Sequence, residues 1–225
     1  MILPNGQPER ALDTGGVLRD CLGEFWTSFY DQFTEGTTLK VPIITQEFKE
    51  EQWTAIAKII KMGWEQEKYF PIKIVPTLFE QCFYKNISSN LVPVFLKCLG
   101  AYESKVLEDA ILNYSSVDEN DLIEVFSNLK SKRKPSKENI APLLYEIAHR
   151  ELVQKPFFIT ECWAPVLYGL MPESTFTALR QNMLPTSKNI LERLHSSEVS
   201  TGSENNAVSC WSRMWQDPRI AKYVR

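Results

Sequence analysis

The sequence predicts a mainly α fold with minor strand content. Apolar residues recur at helical spacing along most of the chain, and Pro and Gly fall between those stretches more often than inside them. Only one short run, residues 39–44, reads as extended, and Pro42 within it argues against a central strand. At 225 residues, 44% of them hydrophobic, the chain can bury roughly 70% or more of its unfolded surface, so neither a disulfide nor a metal is needed to hold it.

The first helix follows Asp13-Thr14-Gly15-Gly16, with Leu18, Cys21, Leu22, Phe25, Phe29 and Phe33 on one face and an end near Gly36. Asp13 or Thr14 is its expected cap. A second stripe, Trp53, Ile56, Ala57, Ile60 and Trp64, opens with Glu47, Glu50 and Glu51, where negative charge complements a helix N-terminus. Prolines 71 and 76 then impose a turn, and residues 78–83 read as a buried helix. Further helices are expected over 91–99, 105–114 and 119–129. After a basic link, Asn139 is expected to cap a helix running to Leu152, with Pro142 tolerated in its first turn and Pro156 ending it. Residues 162–170, 175–183 and 187–194 complete the regular part, although Pro165 leaves the start of the first of these open. Residues 196–206 are polar and read as a flexible loop. Val208, Trp211, Met214 and Trp215 form a last short element, and the chain stops at Arg225 inside a helix-like run, which reads as a cut. No repeat of fixed period is present.

With 25 basic and 28 acidic residues the net charge is −3, which offers no long-range field for nucleic acid or an anionic membrane. No stretch reaches the roughly 20 apolar residues of a membrane span, and residues 1–10 lack a signal-peptide layout. A cytosolic or nuclear protein is expected, with no membrane or nucleic-acid partner. The five cysteines, Cys21, Cys82, Cys98, Cys162 and Cys210, include no C-x-x-C and read as reduced thiols used as small apolar residues.

Chemistry has few carriers. Gly15-Gly16 lacks both the G-x-G-x-x-G and the G-K-[ST] context of a phosphate cradle. The two histidines, His149 and His195, have no zinc-ligand spacing around them, and a Cys/His hydrolase would need one of them beside a thiol. Cys210, near the polar loop and Arg213, is the least implausible nucleophile, yet core packing is favoured for every cysteine. The basic run Lys130, Lys132, Arg133, Lys134 and Lys137 suits an import or phosphate-binding patch, with a plain solvated link favoured. No catalytic residue, cofactor or metal site is expected.

The segment from Asp13 to Asp20, Asp-Thr-Gly-Gly-Val-Leu-Arg-Asp, resembles the Asp-x-Gly-Gly-Val-x-Arg-acidic signature near the start of HECT-type ubiquitin-protein ligase domains, with Asp13, Gly15, Gly16 and Arg19 as its structural residues. Further landmarks follow in order: the Trp53 to Trp64 helix with Tyr69-Phe70-Pro71-Ile72, then Val117-Asp118 to Leu122, then Glu138-Asn139-Ile140 through His149-Arg150, then Glu161 to Met171-Pro172. The resemblance implies the N-lobe of a ubiquitin-protein transferase. In the family that lobe docks a ubiquitin-conjugating enzyme, and a second lobe carries the cysteine that accepts ubiquitin. No Thr-Cys motif of that second lobe is present, so the chain alone is expected to be inactive. The family's docking subdomain is also shortened to residues 118–138, and the apolar face Leu122, Val125, Phe126 and Leu129 is the expected residual docking surface, set against packing on the domain itself. The expected organisation is a tail at 1–12, a HECT N-lobe-like helical domain at 13–195, the polar loop at 196–206 and a terminal helical element at 207–225 approaching the lobe hinge. The alternative is a non-enzymatic helical module, descended from such a ligase, that binds proteins.

Overall fold

A computed structural model describes residues 16–183. The chain divides into two compact units, Met1–Thr177 and Ala178–Arg225, and the described part of the second is the end of one helix. Helix 187–194, the loop at 196–206, the element at 207–225 and the residues Asp13, Gly15, His195 and Cys210 lie outside the described residues.

The described fold is mainly helical. In order it contains α1 (Gly16–Gln32), β1 (Thr34–Glu35), β2 (Val41–Pro42), α2 (Glu50–Glu67), α3 (Pro76–Tyr84), α4 (Leu91–Leu96), α5 (Ala101–Leu112), α6 (Glu119–Asn128), α7 (Ile140–His149), α8 (Phe157–Leu167) and α9 (Glu173–Met183). A 3-10 turn at Tyr114–Ser116 precedes α6, and a π-helical turn at Arg150–Gln154 extends α7.

One group of elements packs through rings. α1 buries Leu22, Trp26, Phe29 and Tyr30, while α2 buries Trp53, Ile56, Ala57 and Ile60 and lies mainly against α8. Aromatic contacts run without a break through this group. Phe33 meets Phe48 at 4.2 Å between ring centroids, Phe48 meets Trp53 at 5.1 Å, Trp53 meets Trp163 at 6.4 Å, and Trp163 meets Phe79 at 6.0 Å. Phe79 continues to Phe70 at 4.6 Å, and Phe83 to Phe176 at 5.4 Å. Such pairs add about 1 kcal/mol each beyond the area they bury. The first two helices come close at Gly63, where a Cβ would make ordinary contact, 3.4 Å, with the Leu22 side chain and the Tyr69 carbonyl. Arg19 pins the same pair, its guanidinium donating to the Glu67 carbonyl at 3.1 Å and lying 3.7 Å from the Glu67 carboxylate.

The second group, α4 to α7, is filled by aliphatic residues. Leu107, Ala110, Leu122, Val125, Leu143, Leu144 and Ile147 are buried there, with Phe95 and Phe126 the buried rings among them. The π-helical turn joins the two groups, since it packs on α3 as well as on α4 and α7.

The strands form a two-stranded antiparallel hairpin with Thr34 opposite Pro42 and Glu35 opposite Val41. A Pro is accommodated because no third strand needs its N–H. Gly36 makes the hairpin turn: its φ is +111°, and a Cβ would fall 2.3 Å from the Leu39 carbonyl oxygen. The turn then satisfies the exposed carbonyl end of α4. Thr37 N–H donates to the Cys98 carbonyl, Thr37 Oγ1 to that of Leu99 at 2.6 Å, and Leu39 N–H to that of Lys97.

Several boundaries depart from the sequence reading. α8 begins at Phe157, five residues before the expected start, and contains Pro165 near its end. That Pro removes only its own N–H donor, and the helix runs on to Leu167, where Tyr168 N–H donates to the Ala164 carbonyl at 2.9 Å. Asn139 does not cap α7 through its side chain. It sits in a helical conformation itself, and its Oδ1 accepts from Ser136 N–H at 2.7 Å while its Nδ2 donates to the Lys134 carbonyl. The chain therefore begins to turn at Ser136, whose carbonyl accepts from Ile140 N–H. Cys21, placed by spacing on the apolar face of α1, is exposed, because the face that packs is rotated toward Trp26 and Tyr30.

Candidate functional site

The residues expected to dock a partner are not available to one. Leu122, Val125 and Phe126 are 1%, 0% and 2% exposed, and Leu129 is half-buried, because this face of α6 closes the aliphatic core against α5. The expectation of a docking face there is corrected: the amphipathic stripe serves the fold. What α6 presents outward is Ile123 together with its acidic positions, Glu119 and Glu124. Its start is fixed by Asp118, whose Oδ1 accepts from Asn120 N–H at 2.7 Å.

Of the signature residues, Gly16 opens α1 with nothing within 4 Å of an added Cβ, so no steric demand for Gly exists at that position. Arg19 has the structural part already described, tying α1 to the end of α2.

The described thiols are unsuited to nucleophilic chemistry at neutral pH where burial governs them. Burial and the nearby Glu161 push the Cys82 thiol well up, and its Sγ faces the Thr160 carbonyl at 3.8 Å. Burial pushes Cys98 up to about 12, with Sγ donating to the Val94 carbonyl at 3.4 Å. Burial, then Glu50 and Glu161, raise Cys162. A nucleophile needs the thiolate, and all three environments disfavour it. His149 is half-buried and stacks on Tyr145, while the Cys82 and Cys98 thiols point at backbone carbonyls, so the Cys/His dyad is not assembled there. Among the described residues no cluster of His, Cys, Asp and Glu could hold a metal ion.

The basic run is partly consumed within the fold. Arg133 pairs with Glu146 on α7 and Lys134 with Glu119 on α6, both on the surface. The Glu119 carboxylate holds the Lys134 ammonium above its usual range. Tyr114 Oη donates to the Pro135 carbonyl at 3.0 Å, fixing the link from beneath.

What the fold does build is a cleft of about 530 Å³, the size of small-ligand and peptide-side-chain sites. One wall is the extended chain 41–44, and the opposite wall is the end of α6 with Asn128, Leu129 and Lys130. Phe95, Cys98 and Leu99, from the end of α4, form the floor, and Glu151 and Lys155 of the π-helical region close one side. That side is polar and organised. Arg150 donates to the Leu129 carbonyl at 2.6 Å and lies 2.8 Å from the Glu151 carboxylate, which also pairs with Lys155. Arg150 and Glu151 both lie in the π turn, and such turns are enriched at functional sites. Sequence reasoning missed the cleft because its walls come from four separated segments. The only local signal was the run Val41-Pro42-Ile43-Ile44, too apolar for an ordinary surface loop.

No described helix is long and apolar enough to cross a membrane. Searches for relatives found no matching family model, no matching curated protein and no matching solved structure.

Proposed function

We propose that the chain is a HECT N-lobe-like helical scaffold of the ubiquitin-protein transferase family, acting in protein ubiquitination in the cytoplasm or nucleus by holding protein partners and not by forming a ubiquitin thioester itself. The single observation that supports this reading best is the ordered series of motifs from Asp13 to Pro172. Its described members fall on successive structural roles: Arg19 fastens α1 to α2, Trp53 anchors the aromatic core, Asp118 caps α6, and the stretch Glu161 to Met171 runs through α8 toward α9. The mainly helical fold is compatible with an N-lobe. The reading without a thioester on this chain is supported by the burial that disfavours the thiolates of Cys82, Cys98 and Cys162, Cys21 being the exposed thiol among the described residues.

The partner implied is a ubiquitin-conjugating enzyme. Since the outer face of α6 lacks the apolar stripe, such docking rests on other surfaces. Biolayer interferometry of the full chain against a panel of purified ubiquitin-conjugating enzymes tests it: saturable binding of at least one supports the reading. Binding of none, with the chain shown folded by circular dichroism, removes it.

A second reading, a non-enzymatic protein-binding module descended from such a ligase, is favoured by the cleft beside the hairpin, which needs no conjugating enzyme to make sense. It predicts no binding across that panel.

A further inference from the structure

We propose that the cleft beside the hairpin is a binding site for an extended peptide segment of a partner protein, which pairs with the chain's free backbone at Ile44 and seats an apolar side chain between α4 and α6. Three independent features point to this occupant.

The first is the backbone. Ile43 N–H is used within the hairpin, donating to the Phe33 carbonyl, but residues 44–47 make no backbone hydrogen bond among the described residues. Ile43 to Thr45 follow β2 without regular structure, and the chain bends at Gln46 and Glu47. Open backbone donors and acceptors beside a strand can pair with an added chain; Pro42 blunts the edge at its own position and leaves Ile44 open. Ile44 itself is apolar and 55% exposed.

The second is the volume. The cleft of about 530 Å³ lies directly against Ile44, with Phe95, Leu99 and Leu129 as its apolar surface. A peptide laid along 43–45, beyond Pro42, presents alternate side chains to one face, so one or two apolar groups about 7 Å apart would enter it.

The third is charge. Glu151 and Lys155 neutralise each other on one side of the cleft, whereas Glu35 and Lys130, also in its lining, make no ion pair among the described residues. The fitting peptide therefore carries a basic residue for Glu35 and an acidic residue for Lys130, with the apolar anchor between them. A lipid or a purely apolar small molecule would use neither charge nor the backbone at Ile44.

This inference is independent of the ubiquitin-transfer reading, because an inactive scaffold would keep the site and a chain that binds no conjugating enzyme could still hold a peptide. The test is panning of a phage-displayed random heptapeptide library on the full chain, with the Ile44→Asp chain as counter-selection. The fluorescein-labelled best peptide is then measured by anisotropy. The expected outcome is enrichment of sequences with an apolar residue between a basic and an acidic one. Binding should weaken at least tenfold on Ile44→Asp and on N-methylation of one peptide amide. Lys130→Glu should weaken binding similarly, with recovery when the peptide's acidic residue is changed to Lys. Near-UV circular dichroism checks that each variant is folded; if Ile44→Asp disturbs the fold, Glu35→Lys at an exposed position takes its place. Three results would overturn the proposal: no enrichment over the counter-selection, binding indifferent to every amide methylation, or a concentration-dependent dimer abolished by Ile44→Asp, which would make a second copy the occupant.

Discussion

Around α2 and α8 the interior is made of stacked and edge-on rings, whereas around α4 to α7 it is made of Leu, Val, Ile and Ala with two rings among them. The difference shows how the chain divides its labour. Large rigid rings with few rotamers lock relative helix positions, so the aromatic group fixes the frame. The aliphatic group closes the other side, and the two meet at the π-helical turn and the hairpin, where packing is incomplete and the cleft opens. The aromatic group is not free of cost: the indole N–H groups of both Trp53 and Trp163 are buried without a partner.

The comparison is broken most severely at Trp163. Trp163→Ala is expected to lower stability by about 4 kcal/mol in urea denaturation. Trp163→Phe should cost under about 1.5 kcal/mol, since it keeps a ring and removes an unpaired N–H. In the aliphatic group Leu144→Ala is expected to cost about 3 kcal/mol. Equal losses for Trp163→Ala and Trp163→Phe would show that ring packing is not what holds the frame.

At the junction, Gly36→Ala is expected to destabilise by about 3 kcal/mol, because the added Cβ meets the Leu39 carbonyl and the backbone is left-handed. Hydrogen exchange should show the loss at the end of α4, whose carbonyls the hairpin turn satisfies. Arg150→Ala, which frees the Leu129 carbonyl and leaves Glu151 with Lys155 alone, is expected to cost about 1.5 kcal/mol. Its exchange protection should fall at the end of α6 and not in α2.

Smaller effects separate the groups by pH. The folded Cys98 thiol sits near 12, above the ordinary thiol value of 9.0, so the folded state favours its neutral form. That stability is fully present below about 9 and is lost as pH rises toward 12, because the unfolded chain releases the proton first. The urea midpoint should fall over this range, and Cys98→Ala should flatten the fall. The smallest effect is expected at Arg19→Ala, under about 0.5 kcal/mol, since its guanidinium is largely exposed.

Much of this was legible in the residues. The stripes of α2 and α6 follow directly from the spacing of Trp53, Ile56, Ala57 and Ile60 and of Leu122, Val125 and Phe126, because local period decides which face packs. What spacing cannot decide is against what a face packs, which is why the α6 stripe read equally as a docking surface. The early start of α8 was hidden by Pro165, whose cost near a helix end is small, and the capping by Asn139 was displaced by a turn that begins at Ser136. The cleft was invisible because Leu129, Ile44, Phe95 and Glu151 are brought together only by tertiary packing.

The proposed reading, a ubiquitin-transfer scaffold that forms no thioester itself, is tested most directly by incubating the full chain with ubiquitin-charged conjugating enzyme and resolving the products on non-reducing gels. The account predicts no reductant-sensitive ubiquitin adduct on the chain. An adduct that vanishes on reduction and is lost in a single Cys→Ala variant would contradict it.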